Sequence, residues 1–310
     1  MTSSARRLGV IGAGNIGGAI AANLLADGHA VAVHDVDRAR CAALVRAGAW
    51  RADTPAAVAG RSEITFTSLP SPAAVEAVAE AWLAGAARDA VLVDLSTNAP
   101  ATIRSVGARL AAAGRHLLEA PLTGGAPGAQ ARMLVFMVGG ERAVYERCLP
   151  ILQKLGRAVF HLGPLGSGNT AKLVNSLLAF TATWSSLEGL AVAAKAGINL
   201  RTIIEVIRAG GAGNFFTDRM VEGINERGRP AQFTLALAAK DAGLLLEVAR
   251  EVGVPVPVAT EVAQTLLAAV EAGLGGRDFT DLVELIERRA DVALRLPPPT
   301  ATPSAPPPPR

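Results

Sequence analysis

Between Leu8 and Asp35 the chain reads, in order, a short β run, a glycine-spaced turn, a helix, a second β run and an acid. The turn is Gly12-Ala13-Gly14-Asn15-Ile16-Gly17, a G-x-G-x-x-G pattern. Gly12 makes the tight turn, Gly14 lets the backbone approach a pyrophosphate, and Gly17 lets helix and strand pack closely. The helix through IGGAIAANLLADG is expected to stop at Gly28. Its first N–H groups and its positive dipole end suit phosphate. Asp35 follows the strand Val31 to His34 and stands 18 residues after Gly17, where it can accept from both hydroxyls of an adenine-side ribose. Gly12, Gly14, Asn15, Ile16, Gly17 and Asp35 are therefore expected to hold a dinucleotide. Asp35 would repel a 2′-phosphate, which favours NAD over NADP. Arg38 and Arg40 are near enough to keep NADP open.

Strand and helix continue to alternate. Ile64 to Ser68 reads as a strand ending in Leu69-Pro70, a rigid turn expected over the cofactor. Ser71-Pro72 opens a helix through Trp82 and Leu83. Ala90 to Leu95 is another strand, running into Ser96-Thr97-Asn98, and Pro100 starts the next helix. His116 to Ala120 leads to Pro121-Leu122-Thr123-Gly124-Gly125, a bend rich in backbone N–H groups. Leu134 to Val138 and Ala158 to Leu162 are the last strands, separated by a helix over Glu141 to Leu155. The expected fold is α/β: an N-terminal Rossmann doubly wound sheet whose loops converge at one edge.

After Gly163 the pattern becomes helical throughout. Helices are expected over Asn169 to Ala196, Leu200 to Ala209, Phe215 to Arg227, Phe233 to Val252, Ala259 to Ala272 and Phe279 to Leu294. Near the start of the first, Lys172 and Asn175 lie three apart and so project from one side. Such a pair can hold a substrate oxygen from two directions. The chain carries 26 arginines and four lysines. Where lysine is this scarce, Lys172 and Lys240 stand out, because a partly buried lysine can give up its proton and arginine cannot.

At 310 residues there is room for two domains. The expected division is a dinucleotide-binding domain over 1–164, an all-α substrate and dimerisation domain over 165–296 built on a long helix, and a disordered proline-rich tail over 297–310. The net charge of +3 comes with scattered arginines and no basic cluster, which argues against nucleic acid. The uncharged stretch Leu173 to Leu187 is too short and too rich in hydroxyls for a bilayer. MTSSARR leads directly into a strand without an apolar export region, and Cys41 and Cys148 read as reduced thiols, so a cytoplasmic protein is expected. Four isolated histidines offer no metal-ligand spacing, and no metal is expected.

Four signatures occur in order: Gly12 to Gly17, Asp94 to Pro100 continued by Pro121 to Gly125, Gly166 to Asn175, and Lys240-Asp241. With them the chain resembles the β-hydroxyacid dehydrogenase family over roughly residues 8 to 290. The resemblance implies an NAD(P)-dependent enzyme interconverting a small 3-hydroxy acid and its semialdehyde. Lys172 looks like the catalytic lysine and Asn175 like the residue that hydrogen-bonds the substrate. Thr123, Gly124 and Gly125 look like the loop that holds a substrate carboxylate. Ser96 looks like its neighbour near the nicotinamide, with Thr97, Leu69 and Pro70 on the cofactor side. Lys240 looks like the lysine that reaches over cofactor and substrate. The family also implies a homodimer or homotetramer. Thr123 stands where serine is more usual, Arg132-Met133 where glycine-threonine is, and Ile16 where methionine is. Two other readings stay open. One is an imine reductase, which shares this architecture but typically lacks the lysine; the other is a non-catalytic cofactor-binding interaction module.

Overall fold

The computed structural model describes residues 5–298. Most of the proline-rich tail, from 299 onward, lies outside the described residues. The chain folds as two compact units. One holds residues up to Ser176 together with Lys240–Val256, and the other holds Leu177–Ala239 together with residues from Pro257 onward.

In the first unit nine strands form one sheet: β1 (Arg7–Ile11), β2 (Ala30–His34), β3 (Trp50–Arg51), β4 (Ile64–Thr67), β5 (Val91–Asp94), β6 (His116–Glu119), β7 (Leu122–Thr123), β8 (Leu134–Gly139) and β9 (Gly156–Gly163). Their spatial order is β3-β2-β1-β4-β5-β6-β8-β7, with β9 beside β8. The strands from β3 to β6 are parallel. Order reverses between β1 and β4, which opens a crevice at their carboxyl ends where ligands of such sheets bind. β8 runs antiparallel to β6 and β7, and β9 runs parallel to β8.

Both faces of the sheet are covered, so its strands are apolar at successive positions and not at alternate ones. Val91 and Val93 join a core with α1 (Asn15–Ala26), α2 (Ala42–Arg46), α6 (Gly125–Gln130) and α7 (Arg142–Leu155). Leu92 turns the other way, into a core with α3 (Pro55–Ala59), α4 (Pro72–Leu83) and α5 (Pro100–Ala112). Trp82 is fully buried there, and its indole N–H donates to Thr65 Oγ1 at 2.9 Å, so the polar end is satisfied. Cys148 is buried in the first core, and burial pushes its thiol up to about 12; Cys41 is also free and buried.

The unit also receives the first turns of α8 (Ser167–Lys195) and most of α10 (Leu235–Glu251). By length and apolar content α8 is a helix that can cross a membrane. Within the fold its Leu173, Leu187 and Leu190 are fully buried, which accounts for that apolar content.

The second unit is helical, with the remainder of α8, α9 (Leu200–Ala209), α11 (Pro257–Ala269) and α12 (Val283–Ala290). Phe180, Phe233 and Phe279 form a ring cluster with centroids 5.2–6.2 Å apart.

Three segments differ from the sequence-based expectation. The chain between β2 and β4, to which no element was assigned, forms a 3-10 turn (Arg38–Cys41), two short helices and the strand β3. Residues Phe216–Asn225 form a wide turn and a tight turn where one helix was expected, and Asn214 Oδ1 takes the N–H groups of Phe216 and Thr217 at 3.0 and 3.3 Å ahead of them. The last helix stops at Ala290, not Leu294. Asp291 turns left-handed at φ 46°, and the extended chain beyond is held by paired hydrogen bonds between Asn225 and Leu296.

Candidate active site

The glycine turn after β1 has the geometry its spacing implies. Gly12 sits at φ 89°, and a Cβ there would run into the Ser68 carbonyl oxygen. A Cβ at Gly17 would run into the Gly12 carbonyl, so both positions exclude a side chain. Gly14 meets only the Arg40 guanidinium, 3.5 Å from the place of a Cβ. It precedes α1, which has no side-chain cap and no acid in its first turn. That positive helix end, without a side-chain cap or an acid, fits a dinucleotide pyrophosphate.

Asp35 is buried beside the turn. Its Oδ2 accepts the Ala13 N–H at 2.7 Å and its Oδ1 accepts the Asp37 N–H at 2.8 Å. Each oxygen keeps a second lone pair for a ribose hydroxyl. Val36 next to it is 95% exposed and offers no donor to a phosphate. Arg38 pairs with Asp53 at 3.6 Å and Arg40 with Asp37 at 3.5 Å, so both nearby arginines face carboxylates.

Across the crevice, the ends of β4, β5 and β6 are joined by buried polar groups. Asp94 is fully buried. Its Oδ1 accepts from Thr67 Oγ1 at 2.8 Å and from Ser96 Oγ at 2.7 Å, while Oδ2 accepts from Asn98 Nδ2 at 2.7 Å. Burial raises the Asp94 carboxyl, and the Ser96, Thr67 and Asn98 donors pull against it. Ser96 Oγ also accepts the Leu69 N–H at 2.9 Å, which ties the Leu69-Pro70 turn to this cluster. The Ser96 proton is thus committed to Asp94.

Thr97 supplies a different contact: its carbonyl oxygen accepts from Lys240 Nζ at 2.7 Å. Lys240 also pairs with buried Asp241 at 2.9 Å. Lys172, on the second turn of α8, is half-buried and makes no hydrogen bond or ion pair among the described residues. Burial pushes its ammonium below the ordinary lysine range; Asp241 pulls it back up and Lys240 pushes it further down. Lys172, Lys240, Asp241, Thr97 and Ser96 are therefore gathered at one end of the sheet. Asn175 is exposed one turn further along α8. Thr123 is half-buried, and Gly124 and Gly125, at φ 122° and 62°, are exposed. Successive left-handed glycines turn their N–H groups to one side. No hydrogen bond joins Thr123, Gly124 or Gly125 to Lys172, Asn175 or Lys240.

Reading the sequence missed Glu119 and the parts played by Asp94, Asn98 and Asn169. The available signal was an acid closing an apolar strand, in Leu92-Val93-Asp94 and in Leu117-Leu118-Glu119, where burial demands partners.

The family profile described as the NAD binding domain of 6-phosphogluconate dehydrogenase matches residues 7–163. The profile described as NAD-binding of NADP-dependent 3-hydroxyisobutyrate dehydrogenase matches residues 166–286. The chain is 34% identical over 287 residues to a 3-hydroxyisobutyrate dehydrogenase of Pseudomonas aeruginosa, covering 89% of this chain and 96% of that protein. It is 32% identical over 292 residues to the 2-(hydroxymethyl)glutarate dehydrogenase of Eubacterium barkeri, covering 93% and 97%. The solved 3-hydroxyisobutyrate dehydrogenase of Mycobacterium tuberculosis with L-serine superimposes with a TM-score of 0.83 at 25% identity, covering 91% of this chain and 99% of that one. An imine reductase of Myxococcus stipitatus shares the fold more distantly, at a TM-score of 0.62 and 22% identity. On the strength of both profiles and these relatives, the chain belongs to the NAD(P)-binding β-hydroxyacid dehydrogenase family.

Proposed function

We propose that this protein is an NAD(P)-dependent oxidoreductase that interconverts a small 3-hydroxy acid and its semialdehyde, with Lys172 as general acid and base. The observation that carries the reading is Lys172 itself, a half-buried, unpaired ammonium held below its ordinary range within reach of Lys240 and Asp241. The activities of its relatives, dehydrogenases of 3-hydroxyisobutyrate and 2-(hydroxymethyl)glutarate, support the same substrate class.

The nicotinamide, when bound, supplies the acceptor or donor of the hydride. Gly12, Gly14, Asn15, Ile16 and Gly17 hold the pyrophosphate, and Asp35 holds the adenine-side ribose. Leu69, Pro70 and Thr97 line the cofactor side. In oxidation Lys172 Nζ takes the substrate hydroxyl proton as the carbon–hydrogen bond gives up its electron pair and the carbonyl forms. In reduction Nζ returns that proton to the oxygen. A base with a depressed pKa is better matched to this work near neutral pH. The Asn175 amide holds the same oxygen from a second direction. Thr123 Oγ1 and the N–H groups of Gly124 and Gly125 take the substrate carboxylate, with the Lys240 ammonium balancing its charge. Ser96 acts through position, by holding the Leu69 N–H.

NAD is the preferred cofactor, supported by the charge of Asp35, the bare Val36 and the engagement of Arg38 and Arg40 by acids. The working division is a cofactor domain over 1–164 and a substrate and dimerisation domain over 165–296. The expected assembly is a homodimer or homotetramer, supported by the exposed apolar side chains of Leu178 and Val192 along α8, and the expected location is the cytoplasm.

The test follows reduced cofactor by its near-ultraviolet absorbance, with NAD and NADP separately. The substrates are 3-hydroxyisobutyrate, 3-hydroxypropionate, L-serine, glycerate and one cyclic amine. Turnover of a hydroxy acid supports the reading. Turnover of the amine alone transfers the protein to imine chemistry, and silence on all of them with NAD still bound leaves the fold standing and moves the substrate outside this panel.

A further inference from the structure

Glu119 closes β6 and is fully buried, yet it lies outside the chemistry assigned above. Its Oε1 accepts the N–H groups of Gly166 at 2.5 Å and Gly168 at 2.9 Å. Its Oε2 accepts the Asn169 N–H at 3.1 Å and the Asn169 side-chain amide at 2.5 Å. The Gly168 and Asn169 N–H groups are orphan donors of the first turn of α8, and Gly166 immediately precedes it, so a buried anion sits against the positive end of the helix that carries Lys172. The space is built for it: a Cβ at Gly139 would run into the Glu119 carboxylate, and one at Gly168 into the Met137 carbonyl. The lock continues outward. Asn169 Oδ1 accepts the Asn98 N–H at 2.7 Å, and Asn98 Nδ2 donates to Asp94. Thr97, between Ser96 and Asn98 in this lattice, presents the carbonyl that holds Lys240.

We infer that Glu119 is the positioning residue for Lys172, and that through Asn169 and Asn98 one buried lattice registers both active-site lysines. The inference rests on the proposed role of Lys172. Its physical basis is leverage. Lys172 follows Asn169 by three residues, so a first turn that slips against the strand ends carries the ammonium with it, and a displacement near 1 Å costs about a hundredfold in rate.

The test uses the full chain, whose four lysines give a sparse spectrum after reductive methylation with a carbon-13 label. Lys172→Arg assigns the Lys172 signal. The charged groups that act on that ammonium, Asp241 and Lys240, both come from α10. In Glu119→Gln the amide turns an N–H against the N–H groups of α8. The expected result is a Lys172 titration that moves up toward the ordinary lysine range, with kcat lowered about tenfold or more and KM for NAD unchanged. Glu119→Asp, which keeps the charge, recovers part of both. If Glu119→Gln does not fold, Asn169→Ala cuts the same lattice and carries the same expectation. A lowered melting temperature with an unmoved Lys172 titration and unmoved kcat overturns the inference, leaving Glu119 a structural cap. A wild-type protein inactive on every hydroxy acid would refute the proposed reaction, and the titration would still decide the role of Glu119.

Discussion

The Lys240 ammonium lies between two oxygens of its own unit, the Thr97 carbonyl at 2.7 Å and the Asp241 carboxylate at 2.9 Å. One belongs to the loop after β5 and the other to α10, so this side chain ties the helix to the sheet edge. Lys240→Met leaves Asp241 buried without its cation. The expected cost is about 1–3 kcal/mol in stability, measured by denaturant unfolding. Lys240 also pushes the Lys172 ammonium down, so its removal should move the acid limb of the oxidation rate to higher pH. An unmoved limb would mean that the two lysines are not electrostatically coupled.

Lys172→Ala should lower turnover by roughly two to four orders of magnitude, the scale of a lost general acid and base, while NAD binding by fluorescence titration stays intact. Near-normal turnover removes the assignment.

The same side chain predicts a stability effect with a definite sign. Its pKa is depressed in the folded state, so the unfolded chain binds more protons in the window between the two values. Stability tied to Lys172 is therefore present above the unfolded pKa and lost as pH falls through the folded one. Lys172→Met lacks this penalty. Its melting temperature relative to wild type should rise as the pH is lowered, and a pH-independent difference would contradict the burial of the ammonium.

Asp35→Ala removes the acceptor of the Ala13 and Asp37 N–H groups along with the ribose site. A hydrogen bond to a charged group contributes about 1.5–3 kcal/mol, which is a tenfold to hundredfold loss in NAD affinity. The ratio of kcat/KM for NAD over NADP should fall with it. Unchanged selectivity would mean that another group reads the ribose.

Arg132 occupies a left-handed position at φ 59°, yet it is held by Asp27 at 2.9 Å and by the Asn23 carbonyl at 3.1 Å. The side chain thereby fastens the end of α1 to the turn before β8. Arg132→Ala loses those contacts and keeps the strain, whereas Arg132→Gly loses the contacts and relieves about 1 kcal/mol of strain. Glycine should therefore be the more stable of the two variants by roughly that amount in chemical denaturation. The Arg132 hydrogen bond also holds the Asp27 carboxyl below its usual range. Stability from that pair is present above the unfolded carboxylate pKa and fades as pH falls through the lowered folded value, a loss that neither variant should show.

Local signals in the chain were enough to place much of this architecture. Gly12 and Gly17 announced the turn because backbone sterics there admit nothing larger, Gly14 leaves the helix end open to a phosphate, and Asp35 followed at the spacing of one βαβ unit. Prolines at 72 and 100 marked helix starts, and the loss of β runs after Gly163 marked the change to helix. These rules act within a few residues of the chain, so a linear reading recovers them. Misreadings occurred where a remote partner overrides local preference. Leu294 leaves the helical pattern because Asn225 and Glu287 hold the extended chain beyond Asp291.

The sequence by itself determined the doubly wound order, the dinucleotide turn and the scarcity of lysine that singled out Lys172 and Lys240. Tertiary structure alone decided what those lysines experience. Glu119 and Asn169 are separated by 50 residues, and Asn98 and Asn169 by 71, yet they meet within 3.1 Å. No periodicity or propensity encodes a contact at such range. It arises when parallel strands bring their carboxyl ends to one edge, and the cost of burying Asp94 and Glu119 there selects the few donors able to satisfy them.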